Sequence, residues 1–107
     1  MKTVYIASPY TKGDVAVNVR HSFLVADVLV SYGFAPFPPL FSHFWHFLSP
    51  KDYEVWLSLD AEWVTRCDYL LRLSGESQGA DREVELAKAH NIPVFYDVES
   101  LVEYDKR

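Results

Sequence analysis

The segment Cys67-Asp68-Tyr69-Leu70-Leu71-Arg72-Leu73-Ser74-Gly75-Glu76-Ser77-Gln78-Gly79-Ala80-Asp81-Arg82-Glu83 passes from an apolar run, through a polar turn punctuated by two glycines, into a helix-forming stretch. Cys67 to Leu73 reads as a strand, and Val84 to His90 continues as a helix, so the turn lies at the carboxyl end of a strand. Open α/β sheets bind ligands there. Gly75 and Gly79 relax the backbone, and Ser77 supplies a hydroxyl suited to capping. Glu83 falls about one turn into the helix, where the dipole favours a carboxylate. It is therefore expected to stay charged, facing a crevice, as a candidate nucleophile.

Working outward, Thr3-Val4-Tyr5-Ile6-Ala7 is short, β-rich and continuously apolar, as expected of a parallel strand buried on both faces. Ser8 to Asp14 breaks it with turn formers, and Asp14 is placed to cap the next helix. From Val15 to Tyr32 the residues Ala16, Val19, Phe23, Ala26 and Val30 mark one face of an amphipathic helix, which Gly33 stops. Phe34 to Phe37 forms a second strand whose Pro36 suits a sheet edge. Pro38 to Pro50 has no clear period and reads as a covering loop. Asp52 to Arg66 returns to helical spacing with Val55, Leu59, Trp63 and Val64 inward, and Asp60 borders that stripe beside Trp56 and Trp63. Ile92 to Tyr96 is a last strand, and Asp97 to Arg107 a short amphipathic helix carrying Leu101, Val102 and Tyr104. This alternation predicts a single doubly wound (flavodoxin/Rossmann-like) α/β domain over 1–107. Its parallel sheet has about four strands in the order 2-1-3-4, with helices on both faces.

The chain of 107 residues, half of them hydrophobic, is long enough to bury a core without metal or disulfide support. The chain has seven Tyr, seven Phe and three Trp, and about half of them cluster between Phe34 and Trp63, which points to a thick core, a subunit interface or both. A net charge of −5 without a basic stripe excludes a nucleic-acid polymer as partner while leaving room for a single nucleotide. Cys67 is the only cysteine, so no internal disulfide forms, and no His/Cys cluster supports zinc. No apolar run approaches the roughly 18 residues of a membrane span, and no leader pattern opens the sequence. A cytoplasmic protein is expected.

Taken singly, these signals are ordinary. The glycine turn satisfies neither the phosphate-loop spacing nor the three-glycine dinucleotide pattern, and a plain strand-to-helix connection explains it equally well. Glu83 alone is a first-turn helix glutamate, as Glu85 illustrates, and Asp60 alone is a solvated helix residue. His43 and His46, three apart, lack a third metal ligand, and packing or hydrogen bonding accounts for them better.

The combination carries more. Tyr5-Ile6-Ala7-Ser8-Pro9-Tyr10, Pro38-Pro39-Leu40-Phe41-Ser42-His43, Trp56 with Asp60 ahead of Cys67-Asp68, and Ser77-Gln78-Gly79-Ala80-Asp81-Arg82-Glu83 together resemble the nucleoside 2-deoxyribosyltransferase-like superfamily. That superfamily includes the deoxynucleoside 5′-monophosphate N-glycosidases, and the resemblance spans most of the chain. It implies that Glu83 attacks the anomeric carbon of a 2-deoxyribosyl group, that Asp60 protonates or orients the leaving base, and that Tyr5 holds the Glu83 carboxylate by a phenolic hydrogen bond. One carboxyl group must be ionised while the other holds a proton, so their environments should push the two apart.

The resemblance further implies that Ser8, Pro9 and Tyr10 belong to the sugar-site loop. Phe41, His43 and Trp56 are expected to wall the base, and Ser77 and Gly79 with nearby backbone N–H groups to receive a 5′-phosphate. Asp81 would oppose that phosphate, and Arg82 is placed to neutralise it. The sequence is shorter than the transferases and departs from them in lacking the long C-terminal segment that completes a neighbour's site; so small a chain offers few elements for holding a second base in a water-poor pocket, which favours hydrolysis over transfer. A small-molecule nucleoside or nucleotide, a homo-oligomer, no metal and no cofactor complete the expectation. Two readings from other classes stay open: a noncatalytic nucleotide-binding or sensor module of the same fold, and an oligomeric scaffold.

Overall fold

The computed structural model describes residues 1–107. Four parallel strands, β1 (Thr3–Ala7), β2 (Ala35–Phe37), β3 (Tyr69–Arg72) and β4 (Val94–Phe95), form one sheet in the order β2-β1-β3-β4. Five helices accompany them: α1 (Val15–Ser31), α2 (Ser42–Leu48), α3 (Tyr53–Val64), α4 (Gln78–Ala89) and α5 (Val98–Asp105). In β1 and β3, Tyr5 pairs with Leu70 and Ala7 with Arg72. Pro36 lies on edge strand β2, where its missing N–H leaves no ladder bond unmade.

The period of two in β1 and β3 builds two cores. Val4, Ile6, Tyr69, Leu71 and Leu73 pack with Leu29, Phe34 and Leu101 on the α1 and α5 side. Tyr5, Ala7 and Leu70 pack with Val64, Ala80, Val84 and Ala87 on the α3 and α4 side. The helices start where capping chemistry begins them: Asp14 accepts from the Val17 amide at 3.1 Å, Ser77 from Ala80 at 3.0 Å, and Asp97 from Ser100 at 2.7 Å. Gly33 ends α1 with φ at +89°. With strand order 2-1-3-4 the connections after β1 and β3 depart to opposite faces, which opens a crevice between their carboxyl ends.

Three local expectations are corrected. Pro38 to Pro50 is not an irregular loop, because Pro39–Phe41 forms a 3-10 turn and α2 follows it. The α1 face is rotated by part of a turn: Val19, Ser22 and Leu29 are buried, whereas Ala16 and Val30 are exposed. An apolar chain of this kind has hydrophobic residues on more than one side, so spacing alone does not select the buried stripe. In α3 only Val64 is buried, and Val55, Leu59 and Trp63 remain exposed. The core under α3 is supplied by α4 instead, and Trp63 lies over the edge, stacked on Phe37 at 4.9 Å. No helix is long and apolar enough to cross a membrane.

Candidate active site

Glu83 leaves the second turn of α4, six residues after the Ser77 cap, and points toward the sheet because Ala80, Val84 and Ala87 share its side of the helix. Tyr5 reaches it from β1. The buried Tyr5 hydroxyl donates to Glu83 Oε2, joining residues 78 positions apart. Glu83 is 9% exposed, and burial is the main reason its carboxyl is pushed up to about 8. The Tyr5 hydroxyl opposes that rise, the charge of Asp60 adds to it, and Arg72 opposes it. Asp60, on the inner side of α3, is raised to about 7 by burial. Tyr5 is raised well above the ordinary phenol value by burial and then by Glu83, so it remains a donor.

The expectation that the helix terminus keeps Glu83 charged is thus corrected. Desolvation of a carboxylate this deep outweighs a dipole contribution of about 1 kcal/mol. Asp60 does bind its proton more tightly, as the aromatic surroundings imply, and Glu83 binds one more tightly still. Arg82 does not neutralise Asp81. Arg72, which the β3 alternation aims at α4, donates to Asp81 at 2.9 Å and to the Leu73 carbonyl, while Arg82 lies 3.8 Å from Glu54.

Glu83 and Asp60 both line a cavity of about 290 Å³ at the carboxyl ends of β1 and β3. Ser8, Tyr10, His43, Trp56, Ser77 and Gly79 line it with them, so eight of the residues singled out from the sequence converge on one space. Three do not line it. Tyr5 stands behind Glu83, Pro9 packs on Gly75, and Phe41 is 46% exposed and edge-on to Phe37 at 5.4 Å. Gly75 needs its freedom: its φ is +119°, and a Cβ would stand 2.9 Å from the Pro9 ring. Ser77 spends its hydroxyl oxygen on the α4 cap. A Cβ at Gly79 would meet the Tyr53 hydroxyl at 2.7 Å, so the glycine makes a seat for that tyrosine.

Other lining residues were not singled out as ligand-binding. They include Thr11, Ser42, His46, Lys51 and Tyr53. Most belong to α2 or its flanks, a segment whose helix is too short for its period to announce it. Tyr10 and His43 share a hydrogen bond of 2.5 Å between hydroxyl and Nδ1, tying the loop after β1 to α2. No group of three or more His, Cys, Asp or Glu side chains converges as a metal site.

The sheet order and the crevice define an α/β protein with the fold of nucleoside 2-deoxyribosyltransferases. The solved 2-deoxyribosyltransferase from the psychrotolerant bacterium Bacillus psychrosaccharolyticus, described as a biocatalyst for the synthesis of antiviral and antitumoral nucleosides, superposes with a TM-score of 0.63. The match covers 86% of this chain and 69% of that one at 20% identity. A family model described as Domain of unknown function (DUF7768) matches residues 2–97, and the chain belongs to that family. No curated protein sequence matches it.

Proposed function

We propose that the protein cleaves the N-glycosidic bond of a deoxynucleoside or deoxynucleoside 5′-monophosphate, with Glu83 as nucleophile and Asp60 as proton donor to the base. The observation that carries this reading is the Tyr5-held carboxyl of Glu83 on the wall of a cavity that also receives Asp60. As the C1′–N bond lengthens, positive charge grows on the sugar. An adjacent carboxylate is stabilised by that charge, so the proton of the pair moves to Asp60 and from there to the departing base. Glu83 then forms an ester bond to C1′. Water attacks C1′, gives its proton to Asp60, and releases Glu83 and the free sugar. Tyr5 stays protonated throughout and holds one Glu83 oxygen so that the other faces the sugar.

Water is taken as the acceptor over a second base, because transfer requires a base to enter the place the first has left while water is kept from the Glu83 ester. Phosphate recognition is the lesser part of the proposal: Arg72 is engaged by Asp81, and Gly79 is covered by Tyr53. The proposal takes 1–107 as one working domain in the cytoplasm, where the free Cys67 is at ease. Homo-oligomer formation is part of it, supported by the exposure of Phe44, Trp45, Phe47 and Leu48 on α2. One observation favours a noncatalytic binding module instead. A buried Glu83 whose carboxyl is pushed up to about 8 is a hydrogen-bonding group before it is a nucleophile.

A chromatographic screen against deoxynucleosides and their monophosphates, with and without added free base, separates these readings. Free base and free sugar mark the hydrolase, and a new nucleoside marks the transferase. A thermal shift without product marks the binder.

A further inference from the structure

His46 differs from its neighbour His43 in one respect that bears on ligand choice. At His43 the hydrogen bond with Tyr10 runs in either direction, since both partners can donate or accept. At His46 the direction is set. The Trp56 indole N–H at 2.9 Å and the Lys51 backbone N–H at 3.3 Å both converge on Nδ1. Neither group can accept, so Nδ1 presents its lone pair and the ring proton sits on Nε2. Nε2 has no protein partner. His46 is only half-buried, and no buried side-chain nitrogen or oxygen goes unpaired, so Nε2–H is accessible. The residue lines the same cavity as Asp60 and Glu83.

We propose that His46 is a specificity-determining donor, giving its Nε2–H to an acceptor on the edge of the ligand's heterocycle. Trp56 acts as the positioning residue that holds the tautomer. Its only polar atom is spent on His46, so it offers the ligand its ring and no hydrogen bond. The trapped donor selects bases that carry a ring nitrogen or carbonyl oxygen at that edge and disfavours those with a C–H or an amino group there. The same bond draws electron density from a base as it departs. The inference rests on the nucleoside reading above for the kind of ligand, and on the Trp56–His46–Lys51 geometry for the rest.

The test is a binding cycle in a Glu83→Gln background, where substrate is not consumed. Deoxyadenosine is compared with its 1-, 3- and 7-deaza analogues, and thymidine with its 2-thio and 4-thio analogues. One replacement in the better-binding series should weaken binding by about tenfold, the worth of one hydrogen bond. Adding His46→Phe should abolish that one penalty and leave the others, and His46→Gln, which keeps a donor, should restore part of it. Nitrogen NMR of the wild-type protein should find His46 protonated at Nε2 and bare at Nδ1, and Trp56→Phe should loosen that preference. Penalties identical with and without His46, or a proton found on Nδ1, overturn the proposal. If the coupling appears but the wild-type protein releases no base, the glycosidase reading falls and His46 recognition stands. If base is released without coupling, the His46 inference falls alone.

Discussion

On the α1 and α5 side of the sheet, Ile6 and Leu71 meet Leu29, Phe34 and Leu101; the buried Ser22 hydroxyl is spent on the Val19 carbonyl of its own helix, and Tyr69 donates to Asp105 at the rim at 2.7 Å. On the α3 and α4 side, Tyr5 and Leu70 meet Val64, Val84 and Ala87 in a similar apolar layer, yet Glu83 and Arg72 are buried within it. Both sides come from one alternation in β1 and β3. The first is filled for packing. The second gives up part of its packing to hold carboxyl groups out of water, and a site of that kind stores proton affinity as destabilisation.

The sharpest way to break this comparison is to remove the stored feature. Glu83→Gln should lower base release by at least about a thousandfold, the usual cost of losing a nucleophile, and yet leave a more stable protein. The sign follows from proton binding. An unfolded glutamate titrates near its ordinary value, whereas the folded one titrates at about 8. Between those values the folded state holds a proton that the unfolded chain has released, so stability falls as pH rises, by about 1.4 kcal/mol per pH unit for each such group. Denaturant melts at pH 5 and pH 8 should show this fall in the wild type and a smaller one in Glu83→Gln. Equal slopes would mean that Glu83 is not held out of water.

Leu71→Ala probes the other side and should behave oppositely. A fully buried leucine lost from a packed layer costs roughly 2–5 kcal/mol. Below its lowered melting temperature the variant should keep the wild-type pH profile, because no polar group of the site faces that layer. A changed profile would mean that the two faces are not independent.

A smaller effect should come from Tyr5→Phe, which leaves Glu83 Oε2 without its donor. The Tyr5 hydrogen bond holds the Glu83 carboxyl down, so its loss should raise proton affinity further and move the pH profile of base release upward. The rate at the optimum should fall about tenfold, the value of one hydrogen bond to a charged group. In the wild type the profile should peak between about 7 and 8, where the Asp60 and Glu83 pair carries one proton. A flat profile across that range would exclude the pair from the rate-limiting step.

What the sequence disclosed follows the same division. The alternation of Val4 and Ile6 against Tyr5 and Ala7, the caps Asp14 and Ser77, and the stop at Gly33 are local signals, and they set strand order and crevice. Tyr5 and Glu83 are 78 residues apart, and no local pattern joins them; only the resemblance to a known family did. The α2 helix is hard to see because its seven residues are too few to establish a period and lie between prolines. The Trp56 bond to His46 was hidden with it. Arg72 stands inside an apolar strand with no local mark of its bond to Asp81, and adjacency in sequence points to Arg82 instead.

That exchange of arginines leads to the smallest expected effect. The Arg72–Asp81 pair joins a side chain 10% exposed to one 72% exposed, so as an ion pair it contributes well under 1 kcal/mol. Its importance lies in where the Arg72 charge is directed. Arg72 lowers the proton affinity of Glu83. By Coulomb's law the negative charge of Asp81, held against the guanidinium, offsets part of that effect. Asp81→Asn keeps a hydrogen-bond acceptor and removes the competing charge, so the Arg72 field at Glu83 strengthens and Glu83 gives up its proton more readily. The ionised form required of a nucleophile then becomes more populated. Base release should rise by less than about threefold, and the alkaline limb of the profile should move down by a few tenths of a pH unit. Arg82→Gln, beside it in sequence but turned toward Glu54, should leave both unchanged. An equal response from the two variants would mean that net charge at the start of α4, not the buried guanidinium, governs the carboxyl pair.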